Sequence, residues 1–109
     1  MDLLAQAARL DPEVCEYWYQ LGAAESNLAI DVVYQSSSDA VHLFEDSVDH
    51  ETEALRLMKL GKCPIWTDDE RAQAQRDAEA GLADAEAVLR DKVSLVTALQ
   101  MYADQRTSK

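Results

Sequence analysis

Apolar positions along the chain recur every three to four residues, and no stretch alternates polar with apolar residues between turns. The pattern predicts helices and no strands. The first helix runs from about Asp2 to Leu10 and stops at Asp11-Pro12. With Asp11 as N-cap and Pro12 as first helical residue, a second helix is expected to reach towards Tyr34. Gln35-Ser36-Ser37-Ser38 reads as a linker, and Ser38 or Asp39 is expected to cap a third helix. That helix should end at Gly61, the residue type suited to a left-handed C-terminal position, with Lys59 and Lys62 near the negative end of its dipole. After the connector Cys63-Pro64-Ile65-Trp66, Thr67 and Glu70 fit a capping box. The fourth helix is expected to continue from there to about Gln105 as one long element, with Gly81 as the place for a bend.

Projection at about 100° per residue assigns each helix a buried face. On the second helix the stripe is Val14, Trp18, Leu21, Leu28 and Val32; on the third it is Val41, Phe44, Val48, Leu55 and Met58. On the fourth it is Ala78, Leu82, Ala85, Leu89, Val93, Val96, Leu99 and Ala103. Helices of this length bury such stripes only against one another. The expected fold is therefore all-α, an up-and-down bundle or stacked helical hairpins of three to four helices, the last one long, in one domain spanning residues 1–109.

Charge narrows the choice of partners. With 21 Asp and Glu against 10 Lys and Arg, the net charge of −11 argues against nucleic acid and against an anionic membrane surface. The N-terminus lacks the basic start and apolar run of a signal peptide, so a cytoplasmic location is expected. Cys15 and Cys63 belong to no CxxC motif and lie beside apolar or aromatic neighbours, which predicts two ordinary reduced thiols rather than a metal pair.

The segment around the first turn carries a resemblance. Ala7, then Leu10-Asp11-Pro12, then Trp18-x-x-Leu21-Gly22 resembles a tetratricopeptide repeat junction, in which an LDP-type turn precedes a helix opening on W-x-x-L-G. The resemblance covers residues 7–22 and implies a helical hairpin that serves as a protein-binding scaffold. The chain departs from the pattern further on, with Glu25 where an aromatic is usual, Tyr34 where alanine is, and Ser38 where a second aromatic is. No second copy of the motif follows 34 residues later.

Three groups of residues are candidates for chemistry. His42, Asp46, Asp49, His50 and Glu53 share one arc of the third helix, and His42, Asp46 and His50 have the one-turn spacing that suits a divalent metal. That arc lies opposite the apolar stripe, so a solvated face is the expectation and no metal is assigned. Glu25 and Glu51, by contrast, project into apolar stripes. An unpaired buried carboxylate costs several kcal/mol, so each needs a partner, for which Lys92 and Arg56 are the candidates. The pair would be a structural ion-pair network, an interface or groove rim, or a Mg²⁺ site like that of all-α nucleotide pyrophosphohydrolases, although the E-x-x-E and E-x-x-D steps of that family are missing at both positions. Finally, Tyr17, Trp18 and Tyr19 are consecutive and cannot all face one core. Either one or two of them anchor a partner, or the extra tyrosine lies over the first helix.

No motif calls for a cofactor and no nucleophile is paired with a base. The expected function is a protein–protein interaction module with an acidic surface and an aromatic anchor, recognising a basic protein or a second copy of itself. The alternative is a small metal-dependent hydrolase.

Overall fold

The computed structural model describes residues 2–107, and within them the side chains of all but Asp2, Ala87, Val88, Leu89, Lys92, Val93 and Thr107. The described residues form five helices and no strand: α1 (Asp2–Leu10), α2 (Cys15–Val32), α3 (Ser37–Lys59), α4 (Asp68–Leu89) and α5 (Lys92–Thr107). None of these helices is long and apolar enough to cross a membrane. An all-α bundle is thus the architecture, with five helices among the described residues in place of the expected three to four and with shifted helix starts.

The expected long fourth helix is two helices, divided at Arg90 and Asp91. Asp91 occupies the position before α5, where its carboxylate accepts from Ser94 Oγ at 2.9 Å and its carbonyl accepts from Leu95 N at 3.0 Å. The apolar stripe runs across this break without interruption, so periodicity alone conceals it. Gly81, the residue expected to bend the helix, lies within α4. Helix α2 starts at Cys15 rather than Pro12, because Val14 is extended at φ −108° and Cys15 N donates to Lys62 O at 3.0 Å. The loop after α3 sets this start, not the Asp11-Pro12 signal.

The other termini follow their local chemistry. Ser36 Oγ accepts from Asp39 N at 3.2 Å and caps α3, two to three residues before the expected cap at Ser38 or Asp39. At the far end Gly61 takes φ +74°, Gly61 N donates to Met58 O, and Lys62 N donates to Leu57 O. These are the two bonds of a Schellman motif. Thr67 N donates to Glu70 Oε1 at 2.9 Å and Glu70 N donates to Thr67 Oγ1 at 3.2 Å, closing the capping box that opens α4. The same bonds hold the Glu70 carboxyl below its ordinary range.

Helices α2 and α3, joined by a short turn, form the largest contact between elements, and α3 also packs on α4 and α5. A helix so placed has two buried faces. Ala40, Ser47, Ala54 and Leu57 are buried, while Phe44, Val48 and Glu51 turn towards α4. Two apolar clusters result. At one end Ala29, Val33, Ala40, Val41, Leu95 and Leu99 join α2, α3 and α5. At the other, Cys15, Ala54, Leu57, Met58 and Ala74 collect Trp18, Tyr19, Leu55, Cys63 and Trp66 around them.

In the second cluster Cys15 and Cys63 are joined as a disulfide with Cα atoms 5.1 Å apart. This corrects the expectation of two reduced thiols. Their sequence separation of 48 is closed by the α2–α3 hairpin, which no local motif reveals.

Candidate functional site

A cleft of about 310 Å³ opens between α2, α3 and α4. Each helix supplies one face at helical spacing: Tyr19, Ala23, Ser26 and Asn27 from α2; Phe44, Ser47, Val48 and Glu51 from α3; Asp77, Ala78, Gly81, Leu82 and Ala85 from α4. Small residues make the room. Alanine or glycine at 23, 78, 81 and 85 leaves the three helices in register without filling the space between them.

Glu51 stands in this wall, and Gly22 is the reason it fits. A Cβ added at Gly22 would lie 2.8 Å from both Glu51 Cγ and Oε1, so any larger residue would displace the carboxylate. The backbone at that point is held by Ser47, whose buried hydroxyl donates to Gly22 O at 2.6 Å. Burial raises the Glu51 carboxyl to about 7, and the nearby Glu25 charge acts in the same direction. Asp77 faces the same space. The Tyr19 hydroxyl is held above its ordinary range by burial first, then by the charges of Glu51 and Asp77. Among the described residues the lining holds two carboxylates and no basic side chain.

The two anomalous carboxylates therefore have different fates. Glu25 is buried at 7% exposure and its Oε1 lies 2.5 Å from His50 Nδ1. Burial still moves Glu25 upwards, offset in part by His50 and reinforced by Asp46 and Asp49. Neither basic partner considered for Glu51 is seen to meet it. Arg56 forms a two-point contact with Glu53, at 2.6 and 3.0 Å, and the Lys92 side chain lies outside the described residues.

The helix α3 arc divides in the same way. His42 and Asp46 are exposed, whereas His50 is drawn into the α2 contact by Glu25 and by the Trp18 ring, 5.4 Å away between centroids. Among the described residues these three do not converge into a group of metal-ligand geometry. Of the aromatic triplet, Trp18 Nε1 donates to Pro12 O at 2.9 Å, and Tyr19 meets Trp66 edge-on at 5.1 Å while lining the cleft. Tyr17 is half-buried.

One buried carboxylate escapes the sequence reading. Glu16, 3% exposed, accepts from Ile65 N and Trp66 N through Oε2, both at 2.8 Å, and so fixes the connector between α3 and α4. Its signal was proximity to Cys15, which carries no meaning until Cys63 is known to be adjacent.

Comparison of the chain with protein-family models, with curated proteins and with solved structures gives no match.

Proposed function

We propose that the chain is an acidic all-α binding module that receives a cationic side chain of a protein partner in the α2–α3–α4 cleft. The observation that carries this reading is the cleft's composition: apolar walls from Phe44, Val48, Leu82 and Ala85, with Glu51 and Asp77 and no basic group among the described lining. An aliphatic stem lies along apolar surface while its charged head seeks carboxylates, which is how lysine and arginine bury themselves. Glu51 close to 7 is half ionised at neutral pH, and an arriving cation would remove the penalty that keeps it so. Tyr19 brings the aromatic anchor to one end of the cleft. The net charge of −11 would steer a basic partner towards the surface, with binding that weakens as salt rises.

The hydrolase alternative has less support. It needs Glu25 and Glu51 on one cavity, and Glu25 is turned onto His50 instead. A disulfide is retained most readily in an oxidising compartment, which weighs against a cytoplasmic site of action. The tetratricopeptide resemblance is not required, since Trp18 and Gly22 have internal roles with Pro12 and Glu51.

Amide chemical-shift mapping with a lysine-rich amphipathic peptide, and with an acidic peptide of equal length as control, tests the reading. The expected result is perturbation at Tyr19, Ser47, Glu51 and Gly81 by the basic peptide alone, weakened by salt and by Glu51→Gln with Asp77→Asn. Perturbations confined to other surfaces, or self-association in place of peptide binding, would overturn it.

A further inference from the structure

The geometry points to a second, redox-gated site at the foot of α2: when the Cys15–Cys63 disulfide is reduced, the two thiolates and Glu16 bind one Zn²⁺. Cys15 Sγ, Cys63 Sγ and a Glu16 carboxylate oxygen all lie within 4.8 Å of one another. Tetrahedral zinc, with bonds of about 2.3 Å to sulfur and about 2.0–2.2 Å to oxygen, holds such atoms roughly 3.5–3.8 Å apart. Cα atoms 5.1 Å apart at Cys15 and Cys63 allow side-chain rotation alone to reach that spacing.

The independent observation is Glu16 itself. This side chain is 3% exposed, and while Oε2 accepts two backbone amides, Oε1 is buried with no hydrogen-bond partner among the described residues. Buried carboxylate oxygens are normally satisfied, so a carboxylate that keeps one orphaned oxygen and lies beside two sulfurs has the character of an unused ligand. The two amides on Oε2 hold the carboxylate in position as outer-shell donors do at metal centres. Cys15 opens α2, where the positive end of the helix dipole favours negative charge. Cys63 is half-buried, which leaves a route for the ion and a fourth position for water.

The chemistry balances with a dithiol as reductant. The Cys15–Cys63 S–S bond breaks, an S–S bond forms in the reductant, and two electrons and two protons pass to the protein sulfurs. Zinc binding then releases both protons, so that two thiolates and one carboxylate meet the 2+ ion. In the reverse direction a small-molecule disulfide is the oxidant: its S–S bond breaks and takes up two electrons and two protons from solvent, the Cys15–Cys63 bond re-forms, and the ion is expelled.

The test uses the full chain, oxidised or reduced with dithiothreitol and desalted under nitrogen, titrated with Co²⁺ and then Zn²⁺. The reduced protein should bind one equivalent of Co²⁺ with a thiolate charge-transfer band that Zn²⁺ abolishes, and the oxidised protein should show no band. Glu16→Gln should weaken binding at least tenfold while keeping the band, and Cys63→Ser should remove it. Helical circular dichroism reports whether each variant is folded, and the wild-type comparison needs no substitution. A reduced protein with no band overturns the inference, as does a reduced protein that stays unfolded with saturating zinc, or a folded Glu16→Gln variant of unchanged affinity.

Discussion

The two ends of the bundle are held by different means. At the α5 end, Leu95 and Leu99 close over Ala29, Val33, Ala40 and Val41, and the cluster is apolar packing. At the connector end, a smaller cluster is tied by the Cys15–Cys63 bond, by Cys15 N on Lys62 O, and by Glu16 on the amides of residues 65 and 66. The reason lies in the sequence of each end. The connector Cys63-Pro64-Ile65-Trp66 has no helical backbone bonds of its own, so its amides must be met by side chains from elsewhere. The α5 end has regular helices that satisfy themselves and need only an apolar face. Between the two lies the cleft, where neither means is used and Glu51 meets no basic side chain among the described lining residues.

The largest effect expected from breaking this contrast is at the covalent end. Closing a loop of 48 residues restricts the unfolded chain by about 4 kcal/mol on the chain-entropy scale. Denaturant unfolding of Cys15→Ala with Cys63→Ala, compared with wild type, should show a loss of that order. At the packed end, Leu95→Ala at a site 1% exposed should cost about 3 kcal/mol, read by the same measurement and indifferent to reductant.

In the cleft the expected effect changes with pH. Glu51 has a folded value of about 7 against an ordinary 4.5, so the folded state binds more protons between those limits and stability falls as pH rises through that window. The full difference corresponds to about 3 kcal/mol. Glu51→Gln should therefore leave stability at pH 4 nearly unchanged and raise it by up to that amount at pH 8, as thermal melts across the range would show.

The smallest effect is on the surface. Arg106 bridges α5 to Asp31 and Asn27 on α2, with the charged pair exposed. Arg106→Ala should change stability by less than about 1 kcal/mol, and by less still in high salt.

The features legible in the sequence were those determined within a few residues. The Gly61 turn and the Thr67–Glu70 box depend on local backbone geometry, and both form at those residues. The division at Asp91 is also local, but the apolar repeat on either side of it masked the cap. What could not be read depends on distant residues. The disulfide, the Glu16 contacts and the late start of α2 all require the loop after α3 to be beside the first residues of α2. Projection of α3 assumed one buried face, whereas the helix lies between α2 on one side and α4 and α5 on the other. His50, expected on a solvated face, therefore meets Glu25, and Ser47 supports Gly22. Glu25 and Glu51 stood out because charge at an apolar position is anomalous in any packing. Which of the two would be neutralised by a partner depended on the second face of α3.

On the proposed reading, Glu51 is raised by burial, has no basic partner among the described lining residues, and would be ionised by an arriving cation; carboxyl NMR titration of its side chain is the decisive measurement. The expected midpoint is near 7 in the free protein, with a marked fall when the lysine-rich peptide is added. A midpoint at the ordinary 4.5, or one near 7 that the peptide does not move while occupying the cleft, would contradict it.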